Sequence, residues 1–185
     1  MPRQSAGIAA ALAVACAFLS PLGVRAGGTR DGHGECALSH VRLTDALTQG
    51  AFDMGMERSE TFRDLVESLR GSDLIVYASS ELAMPMPIVG EIHFLTTAGT
   101  HRYLRVLIRA DLSPWERAAM LAHEMQHARE IAEAPGVRDV VTMDKYYEVI
   151  GYRVGIDRHE TDAARAIAAI VQREMTPGPA SGGSR

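Results

Sequence analysis

Hydrophobic positions divide the chain into helices, then strands, then helices. After Ser59, a candidate cap, Phe62, Leu65, Val66 and Leu69 fall three and four residues apart before Gly71, which predicts a helix with one buried face. Upstream, residues 39–50 read as a weaker helix, and 51–57, containing Gly55, as a connection. Leu74-Ile75-Val76-Tyr77-Ala78 is an apolar, β-branched run that predicts a central strand covered on both faces. Met84-Pro85-Met86-Pro87 then forces an extended loop. Alternation returns at 91–96 and 102–109, and the intervening Thr97-Ala98-Gly99-Thr100 has hairpin spacing. Leu104, Val106 and Ile108 share the inner face, leaving Tyr103, Arg105 and Arg109 on a solvated outer one.

The next helix start is strongly signalled. Ser113-Pro114-Trp115-Glu116 combines a hydroxyl cap, proline at the first helical position and a glutamate three residues after the cap. That helix runs to about Glu133, where Pro135-Gly136 stops it. Met143, Tyr146, Tyr147 and Ile150 predict a connecting helix over 140–150 ended by Gly151. Glu160 opens a last amphipathic stretch with Ala163, Ala164, Ile167 and Val171. The expected class is α+β, with helices packed on a short, mostly antiparallel sheet.

The amino end follows a different logic. Arg3, an apolar stretch over 7–19, Pro21 and the small residues around Val24-Arg25-Ala26 have the layout of an export signal. The expected organisation is a signal peptide at 1–26, a flexible segment at 27–36, the working domain at 37–175 and a disordered, Gly/Pro/Ser-rich tail at 176–185. The protein is expected to be exported, periplasmic or secreted, with no membrane span after signal removal, because the apolar stretch is too short to cross a bilayer. Lipid anchoring through Cys16 is the weaker alternative, since Ala13 stands where a large aliphatic residue is expected. Of the two cysteines, Cys16 leaves with the signal and Cys36 remains alone, so no internal disulfide staples the fold. The 46% hydrophobic and 23% charged composition is that of a globular chain, and the formal charge of −4 argues against a nucleic-acid partner. Nothing in the pattern fixes an oligomeric state.

Chemistry enters on the well-capped helix, at His123-Glu124-Met125-Gln126-His127. Imidazoles four residues apart project from one helix face and can converge on a single cation, while Glu124 is rotated to the side. Neutral imidazoles leave a bound Zn²⁺ a strong Lewis acid, with an open position for water of pKa about 7, and Glu124 accepts the proton as general base. The third ligand is more open. A metzincin would carry glycine three residues after the second histidine and histidine six after it, but Glu130 and Glu133 stand there. Glu160 is the leading candidate, on the apolar side of the last helix where an unpartnered carboxylate is costly. Its alternative role is the reciprocal residue of a capping box begun by Asp157. His159 and Asp157 are reserve ligands.

With His123, Glu124, His127 and Glu160, the stretch from about Trp115 to Glu174 resembles the gluzincin metallopeptidases, in which a glutamate on a second helix joins the two histidines of the motif. The 91–109 hairpin is similar to the β-layer above the active-site helix in that superfamily. The resemblance implies a small zincin-like domain, zinc as cofactor, His123, His127 and Glu160 as ligands, and Glu124 as catalytic base. It departs at Ala164, where several such families place an aspartate that orients a histidine. Tyr146, Tyr147, Tyr152 and His159 are candidates to stabilise the oxyanion. The expected partner is a peptide or protein substrate, held along a free edge of the hairpin. A noncatalytic exported zinc-binding or peptide-binding module on the same scaffold is the alternative.

Overall fold

The computed structural model describes residues 40–155 and 158–176. The expected signal, the 27–36 segment, Cys36, Asp157 and all of the tail beyond Thr176 lie outside the described residues.

Strand β1 (Val41–Leu43) leads through Asp45 into helix α1 (Ala46–Arg58). The Asp45 carboxylate accepts the N–H groups of Leu47 and Thr48, and also that of Ser80 at 2.7 Å, so one cap ties the helix start to the sheet. Two expectations are corrected here. Residues 39–50 are not one helix, because their first part pairs as a strand, and 51–57 form the second half of α1 rather than a connection. Gly55 suggested a break, yet packing requires it, since a Cβ there would lie 2.6 Å from the Phe62 ring. Helix α2 (Glu60–Arg70) follows the Ser59 cap and buries Phe62, Leu65, Val66 and Leu69, as the spacing predicts.

Strands β2 (Leu74–Glu81), β3 (Gly90–Ala98) and β4 (His101–Arg109) complete a sheet in the order β1-β2-β4-β3. The α+β class, with helices on a small sheet, is as expected, but strand direction differs. The β3–β4 hairpin is antiparallel and turns at Gly99 with φ 58°, whereas β1–β2 and β2–β4 are parallel, so the sheet is mixed. Chain routing supplies the reason. Helices α1 and α2 form a crossover between β1 and β2, and the proline loop after β2 carries the chain past one strand position, so β4 returns beside β2 in the same direction.

Leu74, Val76, Ala78, Leu104, Val106 and Ile108 form one core with Leu121, Ala122, Met125, Ala128 and Ile131 of helix α3 (Pro114–Ala132). The other face carries Tyr77, Tyr103 and Arg105 and is partly open, so β2 is central without being covered on both faces along its length. The expected capping box begins α3, with Glu116 accepting from Ser113 N–H and Ser113 Oγ from Glu116 N–H. Its other end is held by Arg102, which has the parity of Leu104 and is 1% exposed. Arg102 donates to the carbonyls of Ile131, Ala134 and Val137 at 2.7, 2.9 and 3.1 Å and grips the Asp73 carboxylate through Nε and Nη2. A cation thus occupies the negative end of the helix and satisfies carbonyls that helix geometry leaves unpaired.

Helix α4 (Val140–Ile150) matches its predicted bounds and ends at Gly151. A short antiparallel hairpin, β5 (Tyr152–Gly155) and β6 (Arg158–Glu160), then leads to helix α5 (Asp162–Met175), which buries Ala164, Val171 and Met175. Among the described residues, no helix is long and apolar enough to cross a membrane.

Candidate metal centre

Two elements supply the groups that could hold an ion. His123 and His127 lie in the middle of α3, one turn apart, with ring centroids 5.0 Å from each other. Glu160 closes the group from the end of β6, its Oε1 lying 3.4 Å from His123 Nε2 and 3.5 Å from His127 Nε2. One ligand atom from each residue falls within 4.8 Å of the others, so the three side chains form a group that could hold a metal ion.

Glu160 does not sit on a helix as expected. It is the last residue of a strand paired with Tyr152, and the cap of α5 is Thr161, whose Oγ1 accepts from Ala164 N–H at 3.1 Å. The capping-box role for Glu160 therefore falls, since the helix is capped by Thr161 and Glu160 lies before its start. Strand pairing fixes the glutamate's backbone, and Gly151 permits it. A Cβ on Gly151 would stand 2.5 Å from the Glu160 carbonyl oxygen.

The support for His127 comes from a residue that sequence reading passed over. Glu130 Oε2 lies 2.9 Å from His127 Nδ1, leaving Nε2 to face Glu160. Its other oxygen accepts from Thr161 Oγ1 at 2.8 Å and from Gln126 Nε2 at 3.3 Å. Hence the cap of α5, the buried carboxylate and the histidine form one chain of contacts across the α3–α5 boundary. A carboxylate on the second ring nitrogen fixes tautomer and orientation and raises the imidazole's basicity. Position 164 is alanine, so the carboxylate behind His127 comes from Glu130. The available signal was spacing, because a side chain three residues after a helical histidine stands beside its ring.

The electrostatics suit a cation. Burial lowers the His123 pKa, against the pull of Glu160. Burial also disfavours charge on His127, but the hydrogen-bonded Glu130 carboxylate and the Glu160 carboxylate facing Nε2 outweigh it and carry its pKa up to about 10. Glu130 and Glu160 would both be raised by burial, yet their histidine partners leave them below the usual carboxylate range. Glu124 is different. Burial pushes it up to about 7, with His127 opposing the rise and Glu160 adding to it. Three carboxylates around two imidazoles thus leave the pocket with a surplus of acidic groups, which a dication offsets.

Glu124 sits beside the ligand group and against strand β3. The strand approaches so closely that a Cβ on Gly90 would lie 2.5 Å from Glu124 Oε1 and 2.8 Å from Met120. A cavity of about 460 Å³ opens here, lined by β3 from Gly90 to His93, by the three ligand candidates and Glu124, and by α4 and the β5–β6 hairpin.

The remaining candidates separate clearly. Tyr146 and Tyr147 donate their hydroxyls to the carbonyls of Glu130 and His127, so both brace α3. Tyr152 accepts from Arg165 at a 40% exposed position. His159 is not part of the ligand group; it lines the cavity, stacks on Tyr147, and has Nδ1 3.4 Å from Asp144 Oδ1. Its Nε2 is buried without a hydrogen-bond partner among the described residues.

Comparison with protein-family models, with curated proteins and with solved structures finds no match to this chain.

Proposed function

We propose that this protein is an exported zinc metallopeptidase in which His123, His127 and Glu160 hold the ion and Glu124 acts as general base. The observation that carries the reading is the spacing of the ligand atoms. Four-coordinate zinc, with bonds of about 2.0–2.1 Å, sets neighbouring ligand atoms roughly 3.3–3.4 Å apart. The two measured separations from Glu160 Oε1 are 3.4 and 3.5 Å. They are long for hydrogen bonds and right for a shared ion. A zinc ion held by these three side chains would supply a bound water acidic enough to be a nucleophile near neutral pH.

The chain's own residues do the rest. Glu124, buried one residue from His123, takes the proton and returns it to the leaving amine. Glu130 keeps His127 in one tautomer. His159, with Asp144 on one nitrogen and the other without a partner among the described residues, meets the negative charge that develops on the substrate oxygen. The edge strand supports a peptide as substrate. Arg109 N–H bonds to Val89 carbonyl, so in this antiparallel register Gly90 and Ile92 turn their backbone groups away from β4. Both line the cavity, at the two-residue interval with which an extended chain pairs.

Zinc content and turnover test the reading together. The purified chain is expected to hold about one zinc, His127→Ala to lose it, and Glu124→Gln to keep it while hydrolysis of an internally quenched peptide falls by about a thousandfold or more. A wild-type chain without zinc overturns the metal assignment. A zinc-loaded chain whose Glu124→Gln variant behaves like wild type overturns the peptidase in favour of a noncatalytic zinc-binding module.

A further inference from the structure

The cavity wall opposite β3 takes no part in holding an ion, and its composition is unusual. Val140 and Val141 occupy the first turn of α4, and Val154 lies in β5; they are 63%, 61% and 49% exposed. All three line the cavity, together with Met143. Exposed large apolar side chains are concentrated in this segment, where Val149, Ile150 and Tyr152 join the three valines. Three exposed valines gathered with Met143 on one cavity wall mark a binding surface, whereas isolated exposed valines need no explanation.

The wall is also held in place. Asp139 and Thr142 close a capping box under Val140 and Val141, and Thr97 Oγ1 donates to the Arg138 carbonyl at 2.7 Å, joining the start of α4 to β3. The edge of β3, the ligand group and the valines therefore line one cleft.

We infer that Val140, Val141 and Val154 form a subsite for a bulky aliphatic or aromatic side chain of a peptide lying extended along β3. The inference rests on the peptidase reading of the cleft and adds the class of substrate it selects. A chain paired with Gly90 and Ile92 sends successive side chains to alternate sides, so residues flanking the bond at the metal reach the valines at every second position. The field of the cavity sharpens the choice. Outside the ligand group and Glu124, the cavity carries Glu91 and Asp144 against one guanidinium, that of Arg158, so an acidic side chain meets a surplus of like charge where an apolar one gains burial.

Hydroxamates of single amino acids, bound to the zinc-loaded full chain and measured by calorimetry, test this directly. Leucine hydroxamate is expected to bind about tenfold or more tightly than glycine hydroxamate, the ratio that burying roughly two methylene groups supplies. Aspartate hydroxamate is expected to bind more weakly than glycine hydroxamate. Val141→Asp, compatible with the first turn of a helix, should keep its zinc and lose the leucine preference. Equal binding of the leucine and glycine probes to the wild-type chain overturns the subsite, whatever the peptide assay gives. Preferential leucine binding without peptide turnover keeps the subsite and discards the hydrolase. Should the chain take up no zinc, the valine methyl resonances of the metal-free protein are read with N-acetyl-leucine amide and N-acetyl-glycine amide. Shifts at residues 140, 141 and 154 with the leucine probe alone uphold the subsite, and their absence overturns it.

Discussion

Glu130 offers a way to separate holding the ion from building the fold. Its carboxylate is 7% exposed and serves His127 Nδ1, Thr161 Oγ1 and Gln126 Nε2 at 2.9, 2.8 and 3.3 Å. Truncation in Glu130→Ala strands the first two donors in a buried site, at about 1–3 kcal/mol each, so a loss of roughly 2–6 kcal/mol in unfolding free energy is expected. Glu130→Gln keeps the shape and one acceptor oxygen but removes the charge facing His127. Its stability cost should be smaller, while zinc affinity falls about 10- to 100-fold, or roughly 1.4–2.8 kcal/mol, the usual effect of losing a carboxylate behind a ligating histidine. Competition with a chromophoric chelator measures the affinity and thermal unfolding the stability. Glu133→Gln is the control, an exposed carboxylate three residues further along the same chain and paired with Arg129. A Glu130→Gln variant that binds zinc within twofold of wild type, or a Glu133→Gln variant weakened as much, refutes the orienting role.

Three further outcomes follow from close approaches elsewhere. Gly90→Ala places a methyl group 2.5 Å from Glu124 Oε1, so peptide turnover should fall at least tenfold with metal content unchanged; wild-type turnover would show that the carboxylate moves aside without consequence. Gly151→Ala collides instead with the Glu160 carbonyl oxygen at 2.5 Å, and the shifted third ligand should weaken zinc binding, read by the same chelator competition, with unchanged affinity counting against the assigned ligand. Arg102→Met leaves the carbonyls at the end of α3 without donors and should lower stability by several kcal/mol at neutral pH. The Arg102 hydrogen bonds hold Asp73 below its ordinary 3.8, so this contribution is present above about pH 4 and is lost as pH falls through the lowered value. The gap between wild type and Arg102→Met in chemical denaturation should therefore narrow in acid, and a gap that widens there would contradict the ion pair.

Where local chemistry decides the outcome, the sequence was readable. Ser59, Ser113 and Gly151 mark helix ends through side chains or turns next to them, and α2, α3 and α4 appear where their periodicity places them. Strands β1, β5 and β6 are three or four residues long, too short for alternation to register, and exist because distant partners pair with them. Their absence from the reading put Glu160 on a helix and made 39–50 continuous. The parallel sheet pairs were hidden for a related reason, since the order of strands depends on how far the loop after β2 reaches. His123, Glu124 and His127 announced themselves by spacing alone, while Glu130 was noticed only as a residue that is not glycine. Arg102 could have been found by its parity with Leu104, but a charged residue at the end of an inner face reads as a strand terminus until the carbonyls it serves are known.

The anchoring of α3 has a dynamic consequence. Capped by Ser113 at one end and joined to β4 through Arg102 at the other, the histidine-bearing helix is fastened to the sheet on which it packs. The facing segment is lighter, with Tyr147 the one buried residue of α4 and every residue of β5 exposed. The hydrogen bond from Thr97 to the Arg138 carbonyl is then the tie that holds the start of this lighter segment to β3, and Thr97→Ala is expected to speed amide hydrogen exchange over residues 140–150 while leaving α3 protected.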